Sequence, residues 1–296
     1  MKNLETGRTS LIVGAALRVA PFENTGEEPV LLGVRDASAQ VAHLVKLGED
    51  GRLKLYRRTG SGMSGWDQWI STSVATAAVR GWHYVELQVV QGTSNGTLNV
   101  RINGVLAITL SAQNTIQGGG PLLTAFVGAV PGQACPVTVD VDDIYIADTS
   151  GTINNTFLGD VRVDALKPQA PGALNQWPVE PVGLPAWAAV SDGDETTALR
   201  AATAGLRQTF DVEALPAMTT PAIHGVQVTL LARKTDAGTG RVRGLVASGA
   251  QMAVSSDINL QEQLAWHTAL FERNPNGNVQ WTEGAFNAAE FGLESA

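Results

Sequence analysis

Apolar and polar residues alternate along most of this chain with a period of two. Leu11, Val13, Ala15, Leu17 and Val19 share one face of an extended segment, with Ile12, Gly14, Ala16 and Arg18 on the other. The middle of this strand is apolar on both sides, as in a strand buried within a sandwich. Residues 30–34 form a short apolar run. Val41, His43, Val45 and Leu47 alternate with Ala42, Leu44 and Lys46, and Glu49, Asp50 and Gly51 turn the chain into 53–57, so residues 39–57 are expected to form a β-hairpin. Residues 82–90 place His83, Val85, Leu87 and Val89 on one face. Leu98, Val100 and Ile102 lead to Asn103-Gly104 and then Leu106, Ile108 and Leu110, a strong hairpin signal. Val137, Val139 and Val141 oppose Asp140 and Asp142, but after Asp143 the apolar phase moves to Ile144 and Ile146. That change predicts a bulge at 142–143. The turn-rich residues 148–152 then suggest a domain boundary.

In the second half, Val161 and Val163 open the pattern. Residues 168–195, rich in Pro and Gly and holding Trp177 and Trp187, read as a long, irregular, packed connection. Strands are expected at 206–212, 226–232, 242–246 (after a turn at 235–240) and 266–272. A single helical turn at 286–290 precedes a last strand at 291–294. Trp82, Trp177, Trp187, Trp266 and Trp281 are expected in the core, as is a hydrogen-bonded His83. Arg241 and Arg243 share a strand face, with Arg233 placed near them across the turn, and read as solvated.

Composition narrows the function classes. With 296 residues, of which 32 are Gly and only 16% are charged, the chain reads as all-β with about two domains. The net charge of −8 divides as −2 over 1–150 and −6 over 151–296, and neither half has the basic balance of a nucleic-acid binder. No apolar run reaches the ~18 residues of a membrane helix, so membrane insertion is not expected. Residues 1–9 read as a polar lead into the first strand, without a secretory signal. Cys135 is the single cysteine, and the four histidines are scattered, which disfavours zinc.

Three stretches of 9–148 resemble the laminin-G-like, concanavalin A-like jelly-roll family: 51–57 with its Gly-Arg-Leu and Tyr-Arg, 81–87 (Gly-Trp-His-Tyr-Val-Glu-Leu), and 96–105 with its strand–Asn-Gly–strand pattern. Residues 141–146 resemble the closing strand. Thr156-Phe157-Leu158-Gly159-Asp160-Val161-Arg162-Val163, with Pro168 and Trp177, resembles the second half of certain tailed-bacteriophage virion proteins, as do 232–238, Trp281-Thr282 and 288–292. The resemblance implies an all-β chain: a jelly-roll sandwich over 1–150 followed by a second β-sandwich over 151–296. It also implies a virion structural component (tail, fibre or capsid decoration) assembled in the host cytoplasm. Its expected partners are further copies of itself, with the second domain as the main assembly contact, and other virion proteins. A module that recognises a host surface glycan is the alternative.

The fold alone does not decide function. Asp140 and Asp142 share a strand face, but that strand lacks the Glu residues of the catalytic strand in related glucanases. With no P-loop, dinucleotide or Ser–His–Asp signature either, the chain is expected not to be an enzyme. No cofactor is expected, with calcium left open: Asp140, Asp142 and Asp143, with Asp148 nearby, offer hard oxygen ligands, though no Asp-x-Asp-x-Asp-Gly loop is present. For a glycan the candidates are Tyr56, Trp66 and Trp69, aromatic residues in or beside a Gly/Ser-rich loop, where rings can stack on a sugar.

Overall fold

The computed structural model describes residues 1–22, 28–57, 68–76, 81–116, 119–128, 137–216 and 222–296; Trp66 and Cys135 lie outside them. The chain is nearly all β and divides into two compact units, Met1–Val163 and Asp164–Ala296. Among the described residues no helix is long and apolar enough to cross a membrane.

The first unit holds β1 (Lys2–Arg8), β2 (Ser10–Val19), β3 (Val30–Asp36), β4 (Val41–Leu47), β5 (Arg52–Arg57), β6 (Gln68–Thr76), β7 (Trp82–Val90), β8 (Gly96–Ile102), β9 (Val105–Gln113), β10 (Leu122–Val127) and β11 (Val139–Ala147). They form two antiparallel sheets, six strands in the order β1-β10-β3-β4-β5-β6 and five in the order β11-β2-β7-β8-β9. This is the concanavalin A-like jelly-roll. Leu11, Val13, Ala15 and Leu17 of β2, with Val85, Leu87 and Val89 of β7, pack against Leu32, Val34, Val45, Leu47, Leu53 and Leu55 of the other sheet. Each of these Leu and Val side chains contributes roughly 1.5–3 kcal/mol of burial.

Local signals in the chain set the connections. Asn103 and Gly104 both take positive φ, 50° and 77°, the backbone that a two-residue hairpin between β8 and β9 requires. The register of β11 on β2 breaks between Asp142 and Tyr145, with Asp143 at φ 51°, which is the bulge expected from the phase change. Residues 1–9 are more than a lead: β1 pairs with β10 at the sheet edge, where one exposed side leaves no apolar alternation to read. His43, not His83, is the core histidine. It is fully buried, with Nε2 3.3 Å from the Thr115 carbonyl, whereas His83 lies at the exposed end of β7 with Nδ1 3.1 Å from the Asn103 amide.

The second unit holds β12 (Pro168–Asn175), β13 (Val179–Glu180), α1 (Ala186–Ala189), β14 (Ala198–Leu199), β15 (Arg207–Val212), β16 (Val226–Ala232), β17 (Arg241–Ser248), β18 (Gln251–Val254), β19 (Ile258–Asn259), β20 (Ala265–Phe271), α2 (Glu283–Asn287) and β21 (Ala289–Ser295). Five strands run β12-β15-β21-β17-β18, with β19 also on β17, and a two-stranded ribbon of β16 and β20 covers this sheet. The result is a small second sandwich. Val226, Val228, Ala269 and Phe271 of the ribbon meet Val246 and Phe291, with Trp281 and Phe286 closing the core. The ribbon comes close at Gly244, where a Cβ would stand 2.4 Å from that of Ala269.

Several expectations change here. The strand after the 235–240 turn does not pair with β16; β20 does, because both edges of β17 are taken, by β21 on one side and by β18 and β19 on the other. Arg241 and Arg243 accordingly bind Asp257 and Glu294, at 2.6–3.0 Å. Residues 168–175 form an edge strand despite Pro168 and Pro171, which sit where its register breaks. Trp281 is 1% exposed, but Trp82 and Trp266, expected in the core, are 48% and 69% exposed, and Trp177 and Trp187 are half-buried. Trp82 lies at a strand end with the Arg18 guanidinium 5.2 Å over its ring, and Trp266 faces away from the sheet that the ribbon covers.

Candidate functional site

Residues directly opposite one another in a sheet share a face, so register assigns the surface of the six-stranded sheet that points away from the main core. One row across it is Phe126, Gly33, Leu44, Tyr56 and Trp69; the next is Val30, Lys46, Lys54 and Thr72. Val30, Leu44 and Phe126 form a satellite apolar cluster, with Tyr56 packed at its side. Gly33 makes this possible: a Cβ there would meet the Phe126 ring at 2.5 Å, so its absence lets the ring lie across the strand.

Tyr56 and Trp69, two of the rings singled out in the sequence, are direct cross-strand neighbours on this face. One residue, Ile70, is extra in β6 at this point and packs against the main core, while Trp69 stays outside and 56% exposed. The Trp69 indole Nε1 donates to Thr72 Oγ1 at 2.9 Å, which fixes the ring. Tyr56 donates its hydroxyl to Glu28 Oε2 at 2.6 Å, and the other Glu28 oxygen receives Lys54 Nζ. That bond to Glu28 holds the Lys54 ammonium above the usual lysine range. Lys46 Nζ lies 4.7 Å from the centre of the Tyr56 ring. The face thus joins a flat apolar surface to a fixed set of donors and acceptors, the combination that a sugar ring with its C–H face and its hydroxyls demands. Sequence reading missed Glu28, Lys46 and Lys54. The shared phase of Lys54 and Tyr56 along β5 was a usable signal, but Glu28 reaches them from 26 and 28 residues away.

The structure does not gather the three aspartates of β11. Asp140 pairs with Arg18 at 2.8 Å, Asp142 Oδ1 accepts from the Asp143 amide, and Asp143 Oδ1 accepts from the Val163 amide, both at 2.8 Å. Among the described residues no group of three or more His, Cys, Asp or Glu side chains is placed to hold a metal.

A second polar cluster lies on the outer face of the five-stranded sheet. Glu86, fully buried, accepts from the Tyr145 hydroxyl and, at 3.0 Å, from the Gly159 amide. The Leu158 amide donates to the Tyr145 hydroxyl, and the Arg101 guanidinium lies 4.3 Å over the Phe157 ring. Residues 157–163 therefore strap this sheet, so Val161 and Val163 belong with the first unit. Tyr145 lies flat across Gly14, where a Cβ would stand 2.2 Å from its ring, and stacks on Tyr84. Burial, with Glu86 beside them, pushes both phenols well above the ordinary tyrosine range.

No family model matches the chain, and no curated protein matches it either. Solved structures do. An endo-β-1,4-glucuronan lyase from the fungus Trichoderma reesei is 12% identical, with a TM-score of 0.38 over 49% of this chain and 71% of that one. A tetrameric galectin from the ball sponge Cinachyrella is 16% identical, with a TM-score of 0.33 over 49% and 95%. An alginate lyase from Aplysia kurodai is 13% identical, with a TM-score of 0.36 over 49% and 71%. What the chain shares with them is the fold. The expectation that the chain is not an enzyme is corrected by this comparison: polysaccharide lyases stand among the structures of this fold, and a missing glucanase-type carboxylate pair says nothing about their chemistry.

Proposed function

We propose that this protein binds carbohydrate on the outer face of its six-stranded sheet. The observation that carries the reading is the exposed Trp69 indole, held by Thr72 beside Tyr56, next to the Glu28–Lys54 pair. The ring stacks on the sugar's C–H face while Glu28, Lys54 and the Tyr56 oxygen meet its hydroxyls. The galectin and the lyases act on saccharides by their names, which agrees with this reading without carrying it. The setting we propose is the surface of a tailed-phage particle, with further copies of the chain and other virion proteins as neighbours. Its support is the resemblance of 156–163 and 232–238 to phage virion proteins.

The test is a glycan array probed with the full chain, followed by titration of the best ligand into Trp69→Ala. Loss of about tenfold in affinity is expected, the scale of one stacking contact. Unchanged affinity in the variant, or no glycan retained at all, overturns the assignment. Incubating the retained polysaccharide with the protein and following its chain length reports whether binding is accompanied by cleavage.

A further inference from the structure

We propose that the outer edge of β20 is a self-association surface, and that it pairs with β20 of a second copy of this chain, antiparallel about a two-fold axis at Thr268. The surface belongs to the second unit and is distinct from the carbohydrate-binding face of the first. β16 and β20 pair with each other along seven residues and, among the described residues, with no other strand. Each therefore turns one row of backbone N–H and C=O groups away from its neighbour, ready to pair with another strand. Edges of this kind are ordinarily guarded by charge or proline. β12, an edge strand of the same unit, contains Pro168 and Pro171. The ribbon has neither guard: its strands read Val-Gln-Val-Thr-Leu-Leu-Ala and Ala-Trp-His-Thr-Ala-Leu-Phe, in a chain of net charge −8.

Register identifies the occupant. Ala269 and Phe271 turn inward to the core with Val226 and Val228, which leaves Trp266, Thr268 and Leu270 on the outward face. Trp266 is 69% exposed, the most open indole among the described residues, and Leu270 is 63% exposed. They lie two residues from Thr268, one on each side. Antiparallel pairing about Thr268 therefore sets Trp266 opposite Leu270 of the partner subunit at both ends, with the two threonines opposite each other between them. Leu231 already stands opposite Trp266 within the ribbon, so each indole comes to lie between two leucines, the kind of cross-strand contact that stabilises a sheet. No charge meets its like across the axis. The outer edge of β16 lacks this symmetry: about its central Thr229, Gln227 would face Leu231. One tryptophan and one leucine per copy, on a seven-residue strand, make an interface well below the ~800 Å² per partner of a stable dimer. The association is accordingly weak and reversible, with a dissociation constant on the order of 10 μM.

The experiment is sedimentation velocity of the full chain over a concentration range that brackets that constant. A monomer–dimer equilibrium is expected. Trp266→Lys, at a position open enough to leave the core intact, should weaken it by about tenfold or more by removing the ring and charging the edge. Position is read by cross-linking in a Cys135→Ser background. Thr268→Cys should give a covalent dimer on mild oxidation, because directly opposed Cβ atoms in an antiparallel pair lie ~4.5–5.5 Å apart. Thr229→Cys, also exposed but on the neighbouring strand, should not. If the background variant does not fold, the wild-type concentration series set against Trp266→Lys decides the matter. Sedimentation independent of concentration overturns the proposal. A dimer untouched by Trp266→Lys also overturns it, by placing the contact elsewhere, as does linking through Thr229→Cys as readily as through Thr268→Cys. Growth beyond the dimer overturns the two-fold axis, since β20 pairing with β16 of the next copy would run on without closing. Each of these results leaves the carbohydrate reading standing.

Discussion

Trp69 turns more than half of its surface to solvent, yet its indole nitrogen is tied to Thr72. A ring so placed contributes little to the core, so Trp69→Ala should leave the melting temperature within about 2 °C of the parent while binding falls. Phe126→Ala, which opens the satellite cluster beneath, should instead cost about 3 kcal/mol or more in a denaturant titration. His43 adds a pH dependence. Burial lowers its folded-state pKa from 6.5 to about 4, so between those values the unfolded chain takes up a proton that the folded chain refuses. Stability should fall as pH falls through this window, by at most about 3 kcal/mol. Burial moves His224 in the same direction, so the measurement is the difference between wild type and His43→Gln across pH 7 to 4; parallel curves would assign the acid sensitivity elsewhere. Single residues were legible in the sequence where type and local setting agree, as for the placement of Tyr56 and Trp69 side by side outside the main core. Trp82 and Trp266 were not, because a large apolar ring suggests a core position whether or not a second layer covers its face.

Turns and bulges were the elements most open to sequence reading, since their backbone demands fall on neighbouring residues. Gly104 at φ 77° has empty space around it, so Gly104→Ala should cost about 1 kcal/mol through backbone strain alone, measured as a shift of the unfolding midpoint. The bulge at Asp143 has a second role that its phase change did not reveal, because its carboxylate holds the Val163 amide. Asp143→Gly keeps the left-handed backbone and loses that bond, so hydrogen exchange at Val163 should quicken; Asp143→Asn, which keeps the acceptor, should leave it protected. Equal protection in both would mean that Glu86 and Tyr145 hold the strap without it. The edge strands β1 and β12 escaped sequence reading for one shared reason. An edge strand tolerates the polar and proline residues that a central strand excludes, so its composition gives no clear strand signal.

At the scale of the whole molecule, the all-β class and the succession of two sandwiches were legible because alternation needs only one buried face per strand. The site was only half legible, because Glu28 is brought to Tyr56 and Lys54 by the sheet and not by spacing. The turn-rich residues 148–152 read as a break, yet the chain continues to bond to the first unit as far as Val163. Expressed as 1–163, this unit should be more stable than as 1–150 by about 1–3 kcal/mol, since the shorter form removes the amides that Glu86 and Tyr145 bind. Thermal melts of the two fragments would check this, and coinciding curves would show the strap to be passive. The uneven burial of the tryptophans has an optical consequence. Trp281 is the one indole among the described residues that is sealed from solvent, and it lies in the second unit, whereas Trp69 and Trp82 of the first are open to water. Among the described indoles, the blue edge of the emission spectrum therefore belongs to the second unit. Its loss on heating would time the unfolding of 164–296 alone, while a collisional quencher such as acrylamide would silence chiefly Trp69, Trp82 and Trp266, and a sugar resting on Trp69 would shield that one ring from it.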